Sequence, residues 1–419
     1  MNKLTKYPFA QLYDMSSGIS SAKEQAGHGD PFISFSTVFN NYFLPDILPD
    51  LMETTPEEQE TYSVKKGDIF VTRTSETIDE LAMSCVADRD YPKATFSGFT
   101  KRLRPKTQGI VYHRFLAFYL RNNLFRKTIT NNAFMTLRAS FNEDIFSFLN
   151  LYLPEYSEQV KIGDMLFSME QKIETNNRIC SELESMAKTL YDYWFTQFDF
   201  PNAKGKPYRT SGGAMEWNEQ LKREIPKGWE VDAINSIMAI DNNSVDPKKL
   251  GDTMMEHYSI PAFDDGHYPA FEPASTIESG KYAVDQECIL TSKLNPHFRR
   301  LWDPYCDTEN AICSTEFIVY RPRETWTRPY CFAVLNSDEF YAHMVSRATA
   351  STGSRKRIQP DVSAAFQIAI PDEKTMRSFV ALYDPVMKQL KNLRKENYEL
   401  AKLRNWLLPM LMNGQAVVE

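Results

Sequence analysis

Two stretches of the chain repeat apolar residues at alternating spacings of four and three. The first runs through Ile162, Leu166, Met169, Ile173, Asn176, Cys180, Leu183, Ala187, Leu190 and Trp194. The second runs through Phe379, Tyr383, Val386, Leu390, Leu393, Asn397, Leu400, Arg404, Leu407 and Leu411. A 3.5-residue period held this long predicts two helices that pair along a seam, because a helix packed only on its own domain rarely keeps so strict a repeat. Antiparallel pairing is expected, since it places the exit near Trp194 beside the re-entry near Phe379. Setting Asn176 opposite Asn397 pairs residues whose numbers sum to 573. Ile162 then meets Leu411, Leu166 meets Leu407, Ile173 meets Leu400, Leu183 meets Leu390 and Trp194 meets Phe379. A buried asparagine facing another asparagine can satisfy its amide and so fix the register. In the weakest layer Met169 faces Arg404, whose guanidinium is expected to snorkel outward.

The rest of the chain repeats as well. An offset of 217 residues matches Arg104-Pro105 to Arg321-Pro322, Phe115 to Phe332, Arg138 to Arg355, Asp144 to Asp361 and Pro154 to Pro371. An apolar strand with a basic end (Ile69, Phe70, Arg73) recurs at Ile289, Leu290 and Lys293, shifted by 220. The chain therefore reads as a tandem duplication in which each copy has a globular part of short strands and helices, then an alternating apolar stretch ending in proline, then one long helix. The expected fold class is α/β, of the α+β kind, with a pseudo-two-fold repeat. The expected boundaries are a first domain over 1–154, a long helix over 155–200, a linker and second domain over 201–371, a second long helix over 372–412 and a tail over 413–419. At about 1.5 Å per residue the first seam is about 48 Å long, which expects a domain at each end. That length spans about 14 base pairs of B-DNA at roughly 3.4 Å each.

Length and composition agree with two cores: 419 residues, 42% of them apolar. No apolar run reaches the roughly 18 residues of a membrane helix, and the first residues lack the apolar stretch of a signal peptide, so a cytoplasmic protein is expected. Six scattered cysteines without a C-x-x-C pair read as reduced thiols. The net charge of −7 hides a polarity along the chain. No acid lies between Asp90 and Glu143, a window that holds Lys93, Lys101, Arg102, Arg104, Lys106, Arg114, Arg121, Arg126, Lys127 and Arg138. A second acid-free window, Phe340 to Pro360, carries Arg347, Arg355, Lys356 and Arg357. One positive side on each domain is the expectation.

Three segments carry a family resemblance: Leu190-Tyr191-Asp192-Tyr193-Trp194-Phe195 with Gln197-Phe198-Asp199-Phe200-Pro201; Pro226-Lys227-Gly228-Trp229-Glu230-Val231; and the closing run from Leu403-Arg404-Asn405-Trp406 to Asn413-Gly414-Gln415. Together they resemble the conserved regions of the specificity subunit of Type I restriction-modification enzymes. Thr352-Gly353-Ser354 is similar to a Gly-Ser/Thr turn of its recognition domains, while the first copy has Met135-Thr136-Leu137 there. The resemblance implies two target-recognition domains that each read one half of a bipartite double-stranded DNA site, with the helices setting the spacing. It also implies two methylation subunits docked along the helices and further motor-nuclease restriction subunits. S-adenosylmethionine, ATP and Mg2+ would then be used by those partners, with no cofactor, catalytic residue or metal in this chain.

The remaining motifs agree with that implication. There is no G-x-x-x-x-G-K-[ST] loop. Asn295-Pro296-His297-Phe298 only echoes the Asn-Pro-Pro-Phe signature of adenine methyltransferases, and Asp372 and Glu373 read as acids at a helix start. Candidate DNA contacts are Thr72, Arg73, Lys101, Arg102, Arg138, Ser292, Lys293, Ser354, Arg355, Lys356 and Arg357, most of them to phosphate. Tyr191, Tyr193, Phe195 and Phe198 lie off the seam and are expected to form an apolar patch where a methylation subunit docks, unless the recognition domains cover them. Two alternatives stay open: a coiled-coil scaffold that binds no DNA, and the specificity subunit of a methyltransferase without a nuclease partner.

Overall fold

The computed structural model describes residues 4–20, 23–75, 77, 80–132, 139–350, 355–416 and 418. They fall into two compact units, Met1–Lys172 with Leu400–Glu419, and Ile173–Glu399.

In the first unit Thr5–Pro8 pairs antiparallel with Asn150–Leu153, the strand that feeds the first long helix. A four-stranded antiparallel sheet has the order Tyr13–Ser17, Thr100–Pro105, Ile69–Thr72, Ser84–Val86. Ile69–Thr72 is buried throughout because both of its faces are covered. With the period of two of a strand, Ile69 and Val71 enter a core with Phe9, Leu103 and Phe115, while Phe70 enters another with Ile33, Val38 and Phe96. The helix His113–Tyr119 lies against the first long helix at Gly163, where a Cβ would stand 2.7 Å from the backbone nitrogen of Phe115. Only a residue without a side chain fits that approach.

The second unit repeats the plan. Glu230–Ala233 pairs antiparallel with Gln367–Ile370, just ahead of the second long helix. Its four-stranded antiparallel sheet has the order Met238–Ile240, Phe317–Pro322, Ile289–Ser292, Leu301–Trp302. Ile289–Ser292 is again buried throughout, with Ile289 and Leu290 in different cores. A five-stranded sheet is larger than its three-stranded counterpart in the first unit.

The first long helix is Tyr156–Tyr191 and ends in a π-helical turn, Asp192–Thr196. The second is Glu373–Met412, with Asp372 accepting from the Thr375 N–H at 3.0 Å and from its hydroxyl at 2.7 Å. Asp372 thus serves as an N-cap, satisfying donors that the first turn leaves open. Inside the second unit Asn176 meets Asn397 and Trp194 meets Phe379, with ring centroids 5.7 Å apart, so these helix segments run antiparallel. Asn176, Trp194, Phe379 and Leu390 are buried, and Ile173, Leu183, Leu190 and Asn397 are half-buried. Inside the first unit Ile162, Leu166 and Leu411 are buried in one cluster that Leu407 flanks, and Leu400 is half-buried. One expectation fails here. Arg404 does not reach outward, because its side chain is only 13% exposed, ion-pairs with Glu170 and lies over the ring of Tyr42 at 4.9 Å. A carboxylate one position from Met169 supplies a partner that the seam alone does not reveal.

Candidate nucleic-acid interface

Each unit carries the same backbone frame where its central buried strand ends. After Ile69–Thr72 the chain delivers Arg73, whose N–H donates to Phe99 O at 2.9 Å and whose carbonyl accepts from Phe141 N at 2.8 Å. After Ile289–Ser292 it delivers Lys293, whose N–H donates to Glu316 O at 2.9 Å and whose carbonyl accepts from Ile358 N at 3.1 Å. A buried strand thus carries a cation at its rim in both halves. Arg73 is exposed and Lys293 half-exposed. The two frames differ in what they display. In the first half Ala139–Ser140 pairs with Thr74–Ser75, and in the second Lys356–Arg357 pairs with Thr349–Ala350.

The second frame is the more basic. Arg355 and Lys356 are exposed, and Arg357 is held by Glu316 through two hydrogen bonds of 3.0 and 2.8 Å. The hydrogen bond from Arg357 keeps the Glu316 carboxyl below its usual range against an opposing effect of burial, and the charges of Arg357, Lys293 and Arg355 add to it. Asn295, at φ +48, ties its loop to this strand: its N–H donates to Lys356 O at 2.7 Å and its Oδ1 accepts from Lys356 N at 2.9 Å. That loop presents Phe298, 52% exposed, with the Arg300 guanidinium 4.9 Å from its ring centre. In the first half Phe99, 68% exposed, stands beside Arg73. Exposed aromatic rings can stack on bases. Arg73, Arg355 and Lys356 are exposed and able to hold phosphates, whereas Arg300 is only 13% exposed and is held by Asp264 at 2.7 and 2.8 Å.

Several sequence candidates lie elsewhere. Thr72 is buried, and its Oγ1 accepts from Met83 N at 2.9 Å. Ser292 is buried, its hydroxyl donating to Leu294 O at 3.0 Å. Lys101 is buried with its Nζ on Ser17 Oγ at 2.9 Å and Glu143 Oε1 at 3.4 Å. Arg102 is buried, with its Nη1 on Ser63 O at 2.6 Å. These four support the fold and are not displayed for contact. Arg138 and Ser354 lie outside the described residues.

The first basic window as a whole is also largely internal. Arg104 makes a bidentate pair with Asp68 at 2.8 and 2.6 Å. Arg114 pairs with Asp88 at 2.7 and 2.8 Å and with Asp164 at 2.8 Å. Burial opposes ionisation of Asp88, but the hydrogen bonds from Arg114 and His113 outweigh it and hold the carboxyl well below the usual range. Arg121 spends its guanidinium on the carbonyls of Ser84, Val38, Phe39 and Asn41. The window lacks acids because its acids come from other segments.

Sequence reasoning missed Phe99, Phe298 and Glu316. Ser97-Gly98-Phe99 carries a signal for the first, an aromatic residue straight after a turn glycine. Phe298 closes the Asn295-Pro296-His297-Phe298 segment, whose likeness to a methyltransferase signature carries no sign of an exposed ring.

The aromatic patch off the seam is corrected too. Tyr191, Phe195 and Phe198 are buried in the core of the second unit, where Phe195 packs against Phe379 at 4.8 Å and Tyr330 at 5.0 Å. The π-turn Asp192–Thr196 shifts the helical phase for Phe195, and Phe198 follows it at φ +62, whereas Tyr191 is buried as the last residue of the α-helix, one turn beyond Ala187. Tyr193 alone of the four is half-exposed, at the end of an open groove of about 610 Å³ lined by Met186, Thr189 and Leu190. Among the described residues no three His, Cys, Asp or Glu side chains group as a metal site, and no helix is long and apolar enough to cross a membrane.

Residues 12–185 match the family model described as the Type I restriction modification DNA specificity domain. The type I restriction enzyme MjaIX specificity subunit of Methanocaldococcus jannaschii is 21% identical over 406 residues, covering 88% of this chain and 88% of its own. The type I restriction enzyme HindI specificity subunit of Haemophilus influenzae is 28% identical over 201 residues, covering 47% of this chain and 42% of its own. The solved S subunit of a type I restriction-modification system from M. genitalium shares the fold, with a TM-score of 0.62 at 13% identity over 98% of this chain and 96% of that one.

Proposed function

We propose that this chain belongs to the family of type I restriction-modification specificity subunits and that its two halves read the two parts of a split double-stranded DNA target. The observation that carries this reading is the frame present twice with unlike side chains: Arg73 with Phe99 and Ser140 in one half, Lys293 with Glu316 and Arg357 in the other. A shared scaffold with different displayed residues suits two readers of unequal sequences. The helices act as the spacer between the readers and as the dock for two methylation subunits. Two faces related by the offset of 217 suit that docking: Met186, Leu190 and Tyr193 on the first helix, and Leu403, Leu407 and Met410 on the second. S-adenosylmethionine chemistry resides in the methylation subunits, and ATP and Mg2+ serve the motor-nuclease subunits, all in the cytoplasm.

The test is transfer of a labelled methyl group from S-adenosylmethionine to duplex DNA. The isolated chain should transfer none, and its complex with methylation subunits should transfer to adenine. Transfer by the isolated chain would overturn the reading.

A further inference from the structure

The two frames differ most at one pair of positions. In the second half the carboxylate of Glu316 takes the Nε–H of Arg357 at 3.0 Å and one Nη2–H at 2.8 Å. Both residues stand on fixed backbone. Arg357 lies in a strand paired with Thr349–Ala350 and is bridged on its other side to Leu294. Glu316 directly precedes Phe317–Pro322, and its N–H donates to Ser314 Oγ at 3.2 Å. The side chains are 35% and 29% exposed, so the pair sits at the surface without being freely solvated.

A guanidinium gripped along its Nε edge keeps the Nη1–Nη2 edge available. That edge matches the O6 and N7 acceptors of guanine in the major groove. A plain structural clasp is the competing explanation, and the duplication argues against it. In the first half the same backbone hydrogen bonds close the frame with Phe99 at the position of Glu316 and Ser140 at the position of Arg357. The frame therefore forms without an ion pair there. The flanking cations Arg355 and Lys356 are exposed, which places the pair within a surface suited to phosphate.

We propose that Arg357, oriented by Glu316, reads a guanine in the half-site of the second recognition domain. The proposal rests on the DNA-reading role given above and adds the base and the residue that reads it. Glu316 is then a positioning residue, and Arg355 and Lys356 supply contacts indifferent to sequence.

The experiment is a binding selection from duplex DNA randomised across the target, using the full chain complexed with its methylation subunits as wild type, R357K and E316Q. The wild type should enrich a G·C pair at one position of one half-site. R357K keeps the charge but loses the planar fork, and E316Q keeps the size but loses the grip. Each should reduce preference at that one pair by roughly 5- to 150-fold, the range of one bidentate base contact, and leave the other half-site unchanged. R357K should also leave the salt dependence unchanged. Equal weakening at every position, or an unaltered motif in both variants, would overturn the proposal. If R357K lowers the melting temperature, E316Q still decides the matter through the same base preference. A wild-type complex that selects no motif would instead overturn the DNA-reading role itself.

Discussion

The side-chain amide of Asn176 donates to Oδ1 of Asn397 at 2.9 Å, and Asn397 in turn donates to Asn177 Oδ1 at 2.8 Å. Asn176 is fully buried, so this contact marks one register of the two helix segments. Among the described residues its Oδ1 has no hydrogen-bond partner, so the pair is retained at a cost in stability.

N397L should therefore destabilise the chain by about 1 kcal/mol, because the buried Asn176 amide loses one of two acceptors and keeps only Glu396 Oε2 at 2.8 Å. The double variant N176L/N397L should recover that loss, with a coupling above about 0.5 kcal/mol in a double-mutant cycle. Urea melts of the four proteins measure it. Strictly additive single effects would contradict the contact.

The seam was legible because a heptad period is a local property, visible in the spacing of Ile162, Leu166, Leu183 and Trp194 alone. The cations were not, because their partners lie far along the chain. Arg114 finds Asp88 across 26 positions, Arg104 finds Asp68 across 36, and Arg357 finds Glu316 across 41. Thr72 and Ser292 were misread for another reason: their strands are covered on both faces, so the outward face of the alternation is also core. Phe195 and Phe198 follow the domain rather than the seam because the π-turn breaks the helical phase after Tyr191, and the spacing of apolar residues carries no mark of it.

Replacing Arg355 and Lys356 together by alanine should weaken DNA binding by the assembled complex and lower the slope of log affinity against log salt by about two units. Arg357 is left out because Glu316 already neutralises it. Titrations at several salt concentrations give the slope, and an unchanged slope would show that this strand faces away from DNA.

Burial, helped by the Arg394 charge, lowers the His267 pKa to about 4 against an opposing effect of Asp264. The unfolded chain binds this proton near pH 6.5, so between about 6.5 and 4 the unfolded state holds more protons than the folded one. Stability is thus fully present above pH 6.5 and falls as pH drops through this window, by at most about 1.4 kcal/mol per pH unit from this group. His267 sits at φ +54, a conformation asparagine tolerates. H267N should flatten the fall in melting temperature from pH 6.5 to 5, and a slope equal to wild type would contradict this. His257 and His343, both also lowered chiefly by burial, should keep part of the slope.

The two helix faces proposed as docks are unequal, since the place of Thr189 on the first is taken on the second by Trp406, 65% exposed. A large exposed indole is the kind of side chain that dominates an interface. W406A should cost roughly 30-fold or more in affinity for one of the two methylation subunits. Native mass spectrometry should then show complexes with a single partner where the wild type holds two, whereas an unchanged stoichiometry across the concentration range would contradict the assignment.

The central claim is that this chain dictates where its partners methylate. Mapping methylated adenines at base resolution, in DNA treated with the complex of this chain and its methylation subunits, tests that most directly. Every modified site should contain two short specified halves separated by a fixed stretch of unspecified sequence. A single continuous motif, or the same sites modified by the methylation subunits without this chain, would contradict the account.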